Sequence, residues 1–133
     1  MEKLEHIGIA VKNLDQANAL FEKLLGRPHY KIESVESEGV KTSFFEIGGV
    51  KIELLEASRA DSPIAKFIEK RGEGIHHLAF EVKNIDQSVQ HYQQLGFTPI
   101  QAEPKKGADN KMICFLHPKS TQGVLIELCQ EIR

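Results

Sequence analysis

The 133 residues amount to one ordinary domain, 41% hydrophobic and 27% charged, with a net charge of −2 spread over interleaved acids and bases. No basic cluster stands out beyond the short step Lys105-Lys106, which argues against a nucleic-acid partner, and no apolar run approaches the roughly 20 residues of a membrane span, which argues against a membrane partner. The start MEKLEHIGIAV carries charges where a signal peptide needs an unbroken apolar stretch; Cys114 and Cys129, outside any CxxC spacing, read as buried thiols of a reducing compartment, so a cytoplasmic location is expected.

The first predicted element is a strand within residues 5–11, EHIGIAV, with Ile7, Ile9 and Val11 on one face and His6, Gly8 and Ala10 on the other. A helix follows, its stripe formed by Leu14, Ala17, Phe21, Leu24 and Leu25 and its end marked by Gly26. The runs KTSFFEI (41–47) and VKIELLE (50–56) read as strands. Residues 57–74, ASRADSPIAKFIEKRGEG, predict a connecting helix capped by Asp61 or Ser62, with Pro63 in its first turn and Gly72 at its end.

Residues 75–86, IHHLAFEVKNID, then restate the opening phrase. Aligning His77 with His6 puts Val82-Lys83-Asn84 over Val11-Lys12-Asn13, and Asp86 over Asp15. A second helix runs through Ile85, Val89, Tyr92 and Leu95 to Gly96, and the strands KMICFLH (111–117) and VLIELCQ (124–130) complete the copy. Val-x-Ile-Glu-Leu recurs, so Glu53 falls opposite Glu127. The chain is read as a duplication of βαβββ, with module 1 at about 1–56, the connecting helix at about 57–74 and module 2 at about 75–133.

The bulky face of each first strand must pack on the module's own helix. The other face carries small residues behind a histidine, and Glu53 and Glu127 alternate onto that same face of the last strands. Singly, a histidine opening a strand or a glutamate ending one is unremarkable. Their recurrence at equivalent inward places predicts a cluster of two imidazoles and two carboxylates, a donor set suited to one divalent ion such as Zn, Co, Mn or Ni. Without a cation, two carboxylates in one cup would repel. His29, His76, His91 and His117 fall in loops, turns or on polar faces and are read as structural or solvated.

A paired βαβββ module with two His and two Glu resembles the vicinal oxygen chelate superfamily, the fold of glyoxalase I and the extradiol dioxygenases, and within it the methylmalonyl-CoA epimerases. The stretches EHIGIAV (5–11), KIELLE (51–56), DSPIAKFIEKRGEGIHHLAFEV (61–82) and FLHPKSTQGVLIEL (115–128) carry the resemblance over nearly the whole chain. It implies an α+β fold of two tandem βαβββ modules forming one concave mixed sheet around a metal site, with His6, Glu53, His77 and Glu127 as ligands. It also implies interconversion of (2R)- and (2S)-methylmalonyl-CoA by loss and return of the C2 proton through a metal-stabilised enolate, in a homodimer.

Two acid/base groups are then needed. Glu127, at the metal edge, is expected to be one. Some epimerases carry a catalytic Glu where this chain has Thr42; by alternation Glu46 shares Thr42's face and is one candidate for the second, beside Glu38, Glu53 and a metal-bound water, and a surface carboxylate at the strand end is the competing reading of Glu46. Lys111 and Lys119, in KKGADNK and HPKS, are the expected contacts to the phosphates of coenzyme A or to the substrate carboxylate. The alternative readings are a glyoxalase I-like lyase acting on a thiol–methylglyoxal hemithioacetal, and a non-catalytic small-molecule-binding protein of the same fold.

Overall fold

Both copies of the repeat fold as a strand, a helix and three further strands, the α+β pattern expected of tandem βαβββ modules. The computed structural model describes every residue, Met1–Arg133. The chain divides into two units, His6–His76 and a second made of Met1–Glu5 with His77–Arg133.

In the first unit β1 (Lys3–Ala10, from His6 onward), α1 (Leu14–Leu25), β2 (Lys31–Val35), β3 (Val40–Ile47) and β4 (Val50–Ala57) precede α2 (Pro63–Arg71). The strand order is β2-β3-β4-β1, with β1 parallel to β4 and the other neighbours antiparallel. In the second unit β5 (Gly74–Glu81, from His77 onward), α3 (Ile85–Gln94), β6 (Lys105–Lys106), β7 (Lys111–Leu116) and β8 (Ile126–Glu131) follow the same plan, ordered β5-β8-β7-β6 with β5 parallel to β8. Met1–Glu5 joins this unit through the Glu2 N–H, which donates to the Glu81 carbonyl at 2.7 Å. Lys105–Lys106 forms a short edge strand against β7.

The repeated Val-Lys-Asn has a local cause. Asn13 and Asn84 are extended N-cap residues whose side chains accept from the N–H of Gln16 and Gln87, satisfying donors that a helix start otherwise leaves open. Asp15 and Asp86 follow in the first turns, where negative charge suits the helix dipole. Each helix start is also tied to the last strand of its module: the Leu14 N–H donates to Glu56 Oε2 and the Ile85 N–H to Gln130 Oε1. The connecting helix has Ser62 as its cap, accepting from the Ala65 N–H, and Pro63 in its first turn.

The helix-facing sides form the two main cores. In the first unit Val11, Leu14, Phe45 and Leu54 pack with Ile9, Phe21 and Ile52; in the second Val82, Ile85, Val89, Cys114, Leu116 and Leu128 pack with Tyr92 and Phe97. Leu54 and Leu128, at equivalent places and fully buried, contribute roughly 2–3 kcal/mol each by the usual value for a leucine. Leu24 and Leu95 depart from the expected stripes. They are 70% and 61% exposed, because each lies on the side of its helix turned away from the sheet, and α3 stops at Gln94, before Gly96.

Helix α2 covers part of the other face of the first sheet, where Ile64 packs with Ala10, Val40 and Leu55, and Phe67 and Ile68 flank them. Gly39 sets the start of β3 at φ 64°. A Cβ there would come within 2.8 Å of Ser62 Cβ and 2.9 Å of the Arg59 guanidinium carbon, so neither the backbone conformation nor the space admits a side chain.

Candidate metal centre and its surroundings

Directly paired strand residues present their side chains on one face, so strand register decides what each glutamate meets. In the first unit Gly8 of β1 stands beside Glu53 of β4, and Phe44 of β3 stands on its other side. Gly8 offers no side chain, and Glu53 reaches His6, two residues back along β1, with Oε2 3.2 Å from Nδ1. Both residues are buried.

The second unit repeats the device. Ala79 of β5 stands beside Glu127 of β8, Phe115 of β7 is the opposite neighbour, and Glu127 Oε1 lies 3.2 Å from His77 Nε2, again with both groups buried. The His77 ring meets Phe115 edge-on, with centroids 5.6 Å apart and planes at 89°. The two imidazoles present different nitrogens to their carboxylates, Nδ1 in one and Nε2 in the other, a difference that no residue spacing encodes.

A buried carboxylate is costly without compensation, and 3.2 Å is at the long end of the range for a hydrogen bond to an imidazole. The same separation suits two donors on one cation: bonds of about 2.1 Å at octahedral or tetrahedral angles put the donor atoms about 3.0–3.4 Å apart. Each His–Glu pair therefore fits two neighbouring positions of a divalent ion's coordination shell. The donor types, imidazole and carboxylate, fit Zn, Co, Mn and Ni alike.

The remaining expected residues sit as follows. Glu46 is exposed near the end of β3, opposite Lys51, on the face that carries Phe44 and Glu53, and its carbonyl accepts from Arg27 Nη1 at 3.0 Å. Lys119 is exposed in a single helical turn at Pro118–Ser120, with its backbone N–H donating to His117 Nδ1. Lys111 is 4% exposed, with Nζ 4.0 Å from Glu5, 3.9 Å from Asp109 and 3.9 Å from Glu131. Sequence reasoning missed Glu5, itself 3% exposed, because nothing local links residues 5 and 111. It also missed the state of Thr42, which is buried in β3 with an Oγ1 that has no hydrogen-bond partner.

Comparison with known proteins gives a consistent picture. Residues 5–115 match the family described as the Glyoxalase/Bleomycin resistance protein/Dioxygenase superfamily. The chain is 41% identical over 130 residues to the Bacillus subtilis protein YqjC, described as uncharacterized, covering 98% of this chain and 93% of that one. It is 38% identical over 129 residues to the mitochondrial methylmalonyl-CoA epimerase of Homo sapiens, covering 96% of this chain and 73% of the relative. Among solved structures, a Streptomyces coelicolor methylmalonyl-CoA epimerase variant in complex with 2-nitronate-propionyl-CoA superimposes with a TM-score of 0.94 at 33% identity, over 98% of this chain and 95% of the other.

Proposed function

The chain belongs to the Glyoxalase/Bleomycin resistance protein/Dioxygenase superfamily, and from that premise we propose that it interconverts the two epimers of methylmalonyl-CoA by moving the C2 proton. It is an enzyme of the methylmalonyl-CoA epimerase kind. The observation that carries the finer reading is the buried His–Glu pair, built twice from the same register. His6, Glu53, His77 and Glu127 are proposed as the ligands of one divalent ion. Such an ion, when bound, would withdraw electron density from the thioester carbonyl and so acidify the C2 proton.

The chain's own groups do the rest. Glu127 takes or returns the proton at C2, and Glu46 is the candidate for the same duty on the opposite side of the substrate plane, since inversion at C2 needs proton transfer at both faces. Gly8 and Ala79, beside the two glutamates, place no long side chain on that face. Phe44 and Phe115 flank the glutamates with apolar rings that keep water off the exchanging proton. Lys119, exposed at its turn, is proposed as a contact to the coenzyme A phosphates, and Lys111, buried at the start of β7, as a second. A homodimer is proposed from the resemblance.

Incubation with methylmalonyl-CoA in deuterated water tests the reading. Deuterium should enter at C2, and Glu127→Gln should slow that entry by about a hundredfold, as for loss of a proton-transfer group. No exchange at C2 alongside turnover of a methylglyoxal hemithioacetal would overturn the epimerase reading in favour of a glyoxalase I-like lyase.

A further inference from the structure

Within the first unit, one hydroxyl stands out against its surroundings. Thr42 is 1% exposed, and its Oγ1 has no hydrogen-bond partner. The adjacent Ser43, on the helix-facing side of the same strand, shows the ordinary outcome for a buried hydroxyl: its Oγ donates to Asn18 Oδ1 at 2.5 Å. Thr42 lies on the face that carries Phe44 and Glu53, opposite Leu55 of β4 and Glu33 of β2. Its side chain therefore stands between the apolar patch under α2 and the His6–Glu53 pair.

Packing does not call for a hydroxyl there. The equivalent position of the second unit, two residues before the phenylalanine that neighbours the glutamate, is Ile113, a branched apolar residue buried among Ala79 and Cys129. Valine has nearly the shape of threonine, suits a strand at least as well, and would carry no orphaned donor. A buried donor without a partner lowers stability, and on this face it points to a partner supplied by a ligand.

We propose that Thr42 Oγ1 donates a hydrogen bond to an oxygen of the bound acyl thioester, and so helps to fix the acyl head beside the His6–Glu53 pair. This assignment rests on the acyl-CoA reading above. It makes Thr42 a substrate-binding residue that differs between the two modules, a hydroxyl-bearing chain in one against the wholly apolar Ile113 in the other.

Thr42→Val and Thr42→Ser, compared with wild type in the C2 deuterium-exchange assay and in thermal melts, test it. Thr42→Val should lose roughly ten- to a hundredfold in kcat/KM, as for a hydrogen bond to a charged or strongly polar group, while its Tm stays at or above that of wild type. Thr42→Ser should keep most of the activity. Wild-type kcat/KM in Thr42→Val would overturn the assignment, as would a loss of activity that tracks a fall in Tm and is shared by Thr42→Ser. A wild-type protein inert toward methylmalonyl-CoA would overturn the functional reading and this assignment together, whereas an active wild type beside an unaffected Thr42→Val sinks only the latter.

Discussion

Lys111 puts a cation where few proteins place one, buried in the second unit with carboxylate oxygens of Glu5, Asp109 and Glu131 at 4.0, 3.9 and 3.9 Å from its ammonium. Glu5 is equally buried, and the Lys111 ammonium offsets part of the hydration its carboxylate has lost. Removing one partner of such a pair is far more damaging than removing both. Lys111→Met is therefore expected to cost about 3 kcal/mol, on the order of 10 °C in Tm for a chain of this size, by uncovering the Glu5 carboxylate. A thermal melt combined with steady-state kinetics separates this from a direct role with the coenzyme. A large fall in Tm marks the lysine as an internal counter-ion. An unchanged Tm with a raised KM for methylmalonyl-CoA marks it as a phosphate contact.

The duplicated elements show how two short phrases organise two modules. Asn13 and Asn84 close the helix starts, and Glu56 and Gln130, just past the site glutamates on the same last strands, accept the next helix N–H. Each last strand thus holds its glutamate on one face and anchors its own helix on the other. Asn84→Ala should cost about 1 kcal/mol and lower Tm by a few degrees with kcat/KM unchanged, since the cap lies on the helix side of the sheet; kinetics and a melt on one preparation check both halves of that expectation. These devices were legible in advance because caps, alternation and glycine stops act over a few residues. So were the burial of His6, Glu53, His77 and Glu127 on the face away from α1 and α3, and the Ser62–Pro63 start of α2. Leu24 and Leu95 were misread because helical spacing marks an apolar stripe without saying how much of it a sheet will cover. The Glu5–Lys111 contact and the partnerless Thr42 hydroxyl were not legible, because each is decided by residues distant in sequence.

For the molecule as a whole, the proposal that His6, Glu53, His77 and Glu127 hold one ion is decided by counting ions. Each unit supplies one imidazole and one carboxylate, and two ligands alone hold a divalent ion weakly in water, whereas four of the same kinds form a complete structural set. Duplication makes the sharing testable. If each His–Glu pair held its own ion, elemental analysis would find about two per chain, and His77→Ala would leave one of them in place. If the four serve a single ion, the purified protein carries about one per chain, and His6→Ala and His77→Ala each remove essentially all of it. The same loss should appear in stability, because an ion that binds only the folded chain raises its Tm. Chelation is expected to lower the Tm of wild type toward that of His77→Ala, and to leave His77→Ala itself unmoved. Half-occupancy in either histidine variant, or a chelator response that survives in it, would mean that the two units bind separately, and the proposed chemistry at C2 would then have only half of its ligand set.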